Sequence, residues 1–260
     1  MKVSKYIVLA LAMSILSLSL QAQNEKESPL GFGLQLKSMH LWRGLQVASE
    51  ATAAVDVHIS DKKNMFTAGI WGGAGFSGKF KEFDYYASFQ HKGLQIALWD
   101  IYNFSEGASY NNTQVFNYNA RETGHFVDLS VGYTFQGSFP LTVSWATVIF
   151  GRDRTIALNG DASLANQRNR YSTYVSLSYP VLKDKFIDLE LGIAGAFALD
   201  PQKGTSANFY ADNAGIVNVN FVVSKKLELG KYTLPVSVMG MWNPEGNNAN
   251  IQIALDVLKF

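Results

Sequence analysis

From Gly31 onward, apolar residues recur at every second position rather than every third or fourth. The clearest stretches are Val127-Asp128-Leu129-Ser130-Val131-Gly132-Tyr133-Thr134-Phe135 and Ile187-Asp188-Leu189-Glu190-Leu191-Gly192-Ile193. Val175-Ser176-Leu177-Ser178-Tyr179 and Val217-Asn218-Val219-Asn220-Phe221 repeat the pattern. Each places Val, Leu, Ile or an aromatic on one strand face and Asp, Glu, Ser, Asn or Gly on the other. Nowhere past the N-terminal region does the chain reach the roughly 20 apolar residues of a membrane helix. Two architectures use such strands. A soluble sandwich turns the apolar faces inward, and a membrane barrel turns them outward toward lipid. Alternation alone does not choose between them.

Connection lengths do. Twelve strands are expected near 31–46, 50–60, 64–75, 81–91, 94–104, 125–135, 141–151, 170–180, 186–197, 214–226, 233–243 and 249–260. Tight links such as Asp61-Lys62-Lys63, Lys92-Gly93 and Leu229-Gly230-Lys231-Tyr232 alternate with long ones, including Ser105 to Gly124, Gly151 to Asn169 and Ala198 to Asn213. Short turns on one side, longer loops on the other and an even strand count describe a closed antiparallel transmembrane β-barrel of the bacterial outer membrane. The expected fold class is therefore all-β, with the barrel over residues 31–260.

The two ends agree. Lys2 and Lys5 precede a mostly apolar run from Tyr6 to Leu18, and Leu20-Gln21-Ala22 resembles a cleavage site. Residues 1–22 read as a cleaved signal peptide and 23–30 as a short N-terminal segment. At the other end, an alternating strand from Asn250 finishes on Phe260, the ending that the barrel-assembly machinery of Gram-negative envelopes recognises. Ile251, Ile253, Leu255 and Val257 share one phase while Leu258 and Phe260 hold the other. A bulge near Val257 is therefore expected, because without it Asp256 would face lipid.

Composition narrows the function. The formal charge is +1, and removal of Lys2 and Lys5 brings it to −1, so there is no basis for nucleic-acid binding. The chain has no cysteine, so export brings no disulfide framework. Aromatics reach 13%, and their positions suggest two interfacial girdles. Trp42, Trp71, Tyr102, Phe104, Phe150, Tyr171, Phe197 and Trp242 fall on the external side. Phe66, Phe89, Phe135, Tyr179, Phe186, Tyr232 and Phe260 fall on the periplasmic side.

By phase, the inward face carries Lys37, Arg43, Asp56, His58, Glu82, Asp84 and Tyr86, then Asp128, Tyr174, Asp188, Glu190, Asn218 and Asn220. Arg170 and Lys225 are further inward cations on this reading. Such a wall is wet and net acidic, and it should pass cations or neutral polar solutes. The competing reading is a blocked lumen in which Lys37 and Arg43 tie carboxylates together. A third is a surface-binding barrel that uses its external loops.

The segment Met39-His40-Leu41-Trp42-Arg43-Gly44-Leu45 resembles the opening of the TorF-like porins, whose first strand carries an aromatic-x-Arg-Gly motif. The likeness continues through Thr67-Ala68-Gly69-Ile70-Trp71-Gly72, Glu82-Phe83-Asp84-Tyr85-Tyr86 and Asp100-Ile101-Tyr102-Asn103-Phe104. It spans about the first third of the mature chain, and Leu41 departs from the commoner aromatic. The resemblance implies a small outer-membrane barrel acting as a porin, with a poorly defined substrate. The expected partners are outer-membrane lipid, the barrel-assembly machinery through the C-terminal strand, and a small polar solute.

No catalytic, cofactor or metal residue is expected. His58, Ser60 and Asp56 share one strand face, but a polar lumen produces such a trio without catalysis. The four histidines show no ligand spacing. Gly73-Ala74-Gly75-Phe76-Ser77-Gly78 has dinucleotide-binding spacing, yet the segment from Lys79 to Tyr86 alternates as a strand instead of opening a helix.

Overall fold

The alternating segments pair into a single antiparallel ladder that closes on itself. The computed structural model describes residues 29–155, 167–184, 186–230 and 232–259. The signal-peptide reading, residues 23–28 and Phe260 lie outside these described residues. The barrel strands are β1 (Leu30–Lys37), β4 (Thr52–Ser60), β5 (Phe66–Gly75), β6 (Lys81–His91), β7 (Leu94–Asn103) and β8 (Phe126–Thr134). They continue with β9 (Thr142–Gly151), β10 (Ser172–Lys183), β11 (Asp188–Ala198), β12 (Gly215–Leu229), β13 (Tyr232–Asn243) and β14 (Asn248–Lys259). Neighbours in sequence are neighbours in the wall, and β1 pairs with both β4 and β14, so twelve strands close the barrel.

The first expected strand divides. The span 31–46 is not one strand: β1 ends at Lys37, and the chain then forms a separate hairpin of β2 (His40–Trp42) and β3 (Leu45–Ala48). Arg43 at φ 46° and Gly44 at φ 86° make its two-residue turn. Both central residues are left-handed, as the tightest hairpin turns require. Eight residues of β1 nearly cross the apolar layer, so the rest of the segment is free to fold elsewhere.

Paired residues share a face, so the register separates the two sides of the wall. One face exposes Val55, Ile70, Leu98, Leu129, Leu177, Leu191, Ile193, Phe221, Ile251 and Ile253. Ile251 is 62% exposed, and a soluble fold does not leave a continuous band of such residues uncovered. The other face carries the polar set. At the short-turn end of the barrel Phe66, Phe135, Phe186 and Tyr232, expected in a girdle, are all exposed. Phe66 and Phe89 are cross-strand partners with ring centroids 4.9 Å apart.

Register shifts place particular side chains. Between β1 and β14, Leu34 pairs with Leu258 and Gln35 with Asp256, so Val257 is the extra residue. That bulge turns Asp256 to the lumen, where Gln35 Nε2 donates to its carboxylate at 2.6 Å. Between β11 and β12, Ala194 pairs with Asn218 and Gly195 with Ile216, leaving Val217 as the bulged residue. Its side chain is fully buried inside the barrel. In the short turn after β4, Asp61 accepts backbone N–H bonds from Met65 and Phe66, at 2.6 and 2.8 Å. The Phe66 N–H first, and the other backbone donors with it, hold the Asp61 carboxyl below the usual carboxylate range.

Candidate functional site

The hairpin does not extend the wall; it folds into the barrel and packs against the β12–β14 side. Asn243 Nδ2 donates to the Gly44 carbonyl at 3.1 Å, and the Leu41 N–H donates to Gln252 Oε1 at 3.0 Å. At the tip, Gly44 lies against the Val217 carbonyl so closely that a Cβ there would overlap it. Val217 is the bulged residue of β12, so the bulge and the glycine fit each other. Gly44→Ala should cost about 1–3 kcal/mol in backbone strain alone, with the overlap in addition. Gly78, at φ 81° with open space around it, isolates the strain. The chain has no cysteine, so maleimide labelling of an added Leu45→Cys reports the hairpin directly. We expect Gly44→Ala to accelerate that labelling and Gly78→Ala to leave it unchanged.

The turn carries Arg43 into the middle of the lumen. Its Nη1 and Nη2 donate to Asp128 Oδ1 and Oδ2, each at 2.8 Å, and Nη1 also donates to the Tyr210 hydroxyl at 3.1 Å. This is the bidentate fork that guanidinium and carboxylate geometry favours. The guanidinium also lies 4.7 Å from the Trp42 ring and 5.5 Å from Tyr174. Tyr174 OH in turn accepts from Asn218 Nδ2 at 2.8 Å. Arg43, Asp128, Tyr174 and Asn218 thus form one connected group.

The loop between β11 and β12 completes it. After β11 the chain dips so that Phe209 and Tyr210 pack on Trp42, with Phe126, Val148 and Val217 below them. Asn208 Oδ1 shapes that dip by accepting the N–H groups of Tyr210 and Ala211. Phe209 N–H donates to Ser172 Oγ at 2.8 Å, and Ser172 is held by the fully buried Asp153. Asp153 also accepts from Arg170 Nε at 2.9 Å. Burial pushes the Tyr210 hydroxyl above its ordinary pKa.

Trp42 and Trp71, expected in the external girdle, are inside. Trp42 stands in the hairpin core, and Trp71 stacks on His40 at 5.6 Å. Trp42 leaves the girdle because its hairpin folds away from the wall, and Trp71 because it lies on the lumen phase, paired with Asp56 and Asp84. Lys225 is also corrected. Register gives the lumen phase to Lys226, opposite Pro235, and Lys225 shares the outer face with Phe221 and Val223.

Between the hairpin and the β5–β8 wall lies a cavity of about 1280 Å³, lined among others by Lys37, Glu82, Asp84, Trp99, Asn103 and Arg152. Glu82 accepts from Asn103 Nδ2 at 2.9 Å, while Lys37 contacts His40 Nδ1 at 3.3 Å. Deeper toward the short turns, Asp56 contacts His58 Nδ1 at 2.5 Å and accepts from Tyr86 OH at 2.9 Å. Gly31 and Gly69 clear the space for His58 and Tyr86. Ser60 bonds Thr67 at 2.8 Å instead of His58, so the trio of Asp56, His58 and Ser60 does not assemble as a relay. Asp188, Glu190 and Asn220 stand apart, on the β11–β12 wall, with Asn220 over Gly192.

Sequence reasoning missed Trp99, Asp153, Phe209 and Tyr210. The last three sit in or beside loops, where phase says nothing. The available signal was Arg43-Gly44 itself, a glycine pair-breaker inside an otherwise alternating run.

No family profile matches the chain, and no curated protein matches it. Solved structures of similar shape include the NanC porin, 10% identical, with 87% of this chain and 97% of that one covered at a TM-score of 0.43. An outer-membrane channel from Pseudomonas putida F1 is 12% identical, with 89% and 95% covered and a TM-score of 0.42. The β domain of a Bordetella autotransporter is 12% identical, with 88% and 98% covered and a TM-score of 0.36.

Proposed function

We propose that this chain is an outer-membrane channel through which small polar solutes diffuse passively, narrowed by its own inward hairpin. One observation carries the reading. The closed wall exposes an apolar band outward while a cavity of about 1280 Å³, lined by charged and aromatic side chains together, lies within. Among sheet structures, only a closed barrel satisfies every backbone group in lipid, and lipid is what suits that outer band. The charges add a finer reading. Asp128 is neutralised by Arg43, while Glu82 and Asp84 face Lys37 and Arg152 across the cavity. Nearer the short turns, Asp56, Asp188, Glu190, Glu228 and Asp256 outnumber Lys183, Lys226 and Lys259 on the same face, which leaves the lumen moderately acidic and favours small cations in the ion current.

Planar-bilayer recording of the purified protein tests both parts. Stable unitary conductance is expected, with a reversal potential in a salt gradient that favours cations modestly. Preferential passage of anions would overturn the acidic-lumen reading and leave the channel reading standing. A second reading has its own support in the Trp42, Phe126, Phe209 and Tyr210 cluster, which packs the hairpin against the β11–β12 loop inside the barrel. A barrel shut there would act through its external loops. Absence of conductance in both the native chain and Arg43→Ala favours that alternative.

A further inference from the structure

Arg152 follows the last residue of β9 and lines the cavity beside the hairpin. Three rings cradle its guanidinium, whose carbon lies 3.9 Å from the Tyr110 centroid, 4.9 Å from Phe126 and 5.1 Å from Phe209. Such contacts favour the charge but occupy none of its five N–H donors. Among the described residues, no carboxylate forms an ion pair with it, and Nε is buried without a hydrogen-bond partner. Burial pulls its pKa below the ordinary arginine value, and Tyr110, Glu82 and Asp153 offset this only in part.

Among the described residues, three other arginines line the same cavity and each has a hydrogen-bond acceptor for Nε or Nη. Arg43 and Arg170 donate to carboxylates, at 2.8 and 2.9 Å, and Arg154 Nε donates to the Ala120 carbonyl at 2.7 Å. Leaving a buried cation unpaired is costly, and so is leaving a buried donor unbonded. A planar, ring-held, uncommitted guanidinium facing a cavity has the geometry for bidentate binding of a carboxylate. Glu82 and Asp84 stand on the facing wall with Asn103. Their oxygens accept hydrogen bonds, which suits hydroxyl groups. The rings of Tyr110 and Trp99 supply apolar surface for the carbon skeleton between.

We propose that Arg152 docks the carboxylate of a small polyhydroxylated acid, a sugar acid in chemical class, with Glu82 and Asn103 bonding its hydroxyls. The proposal takes the cavity to be the solute path described above. It is tested by binding and does not require conduction. Glucuronate is titrated into the purified protein and followed by intrinsic tryptophan fluorescence, since Trp42 and Trp99 line the cavity. Glucose and inorganic phosphate are the comparison probes. Saturable glucuronate binding is expected, with glucose and phosphate each weaker by at least about tenfold. Arg152→Gln should lose about tenfold or more for glucuronate, and Arg152→Lys should lose less because the charge remains. Unchanged glucuronate affinity in Arg152→Gln, or glucose binding as tightly as glucuronate, would overturn the proposal. Phosphate binding as tightly as glucuronate would overturn the sugar-acid assignment. Arg152→Lys keeps the cation in the ring cradle, so its binding is measurable even if Arg152→Gln fails to fold. Binding without conductance would sink the channel reading alone, and conductance without binding would sink this inference alone.

Discussion

Arg43→Ala should raise single-channel conductance and loosen the hairpin, and Asp128→Asn should do the same. Arg43 joins the hairpin tip to β8 through two bonds of 2.8 Å, and Asp128 is almost wholly buried. Removing one member of a buried, bidentate pair leaves the other charge uncompensated, at a cost of about 3–5 kcal/mol. That cost falls on the hairpin rather than the wall, because the twelve-stranded ladder does not pass through residues 38–51. The hairpin is therefore expected to detach while the barrel persists. The double variant Arg43→Ala with Asp128→Asn should be less destabilised than the sum of the single changes, since neither charge is then stranded. Conductance in planar bilayers and maleimide labelling at an added Leu45→Cys measure the two consequences. Unchanged conductance together with unchanged labelling in both single variants would refute the latch.

Leu129→Arg should destabilise the folded protein in lipid vesicles by about 2–4 kcal/mol, whereas Ser130→Arg should cost far less. Leu129 is 37% exposed at the middle of β8, and its cross-strand neighbour Leu98 is 43% exposed. An arginine there meets hydrocarbon. Ser130 is the next residue on the same strand, but its phase is that of Asp128, so an arginine there meets the lumen. Reversible urea unfolding in vesicles reads the difference, and bilayer conductance gives a second measure. Ser130→Arg narrows the path and should lower the current. Equal costs at the two positions would mean that the outer face does not meet lipid.

Much of the wall was legible because strand phase is a local property. Alternation over residues 127–135 and 187–193 places Leu129 and Asp128, or Leu189 and Glu190, on opposite sides, whatever the partner strands are. The bulge at Val257 was legible for a related reason. Two phases within one terminal strand cannot both face lipid unless one residue drops out of the ladder. The inward hairpin was not legible in the same way. His40 and Trp42 alternate before Arg43-Gly44 and Leu45 and Val47 after it. The slip in phase marks a turn, but nothing local says whether the hairpin joins the wall or folds inward. Trp42 and Trp71 were misplaced because aromatic residues near a strand end suit a girdle and a packed lumen equally well. Arg152 and Asp153 come after the end of β9, where periodicity stops carrying information.

The sequence by itself determined the period, the strand number, the even topology and which face of each strand is apolar. Those depend on backbone geometry and on whether a side chain prefers water, and both act within a few residues. Only the tertiary structure decided what fills the lumen. Arg43 and Asp128 are 85 positions apart in the chain. Their pairing depends on a left-handed turn seated against the bulge at Val217 and on a loop bringing Tyr210 to the same point. Contacts of that kind depend on where the closed wall carries each element, and residue type alone does not contain that position. Arg152 is uncommitted for the same reason: whether a guanidinium finds a carboxylate is settled by the space around it.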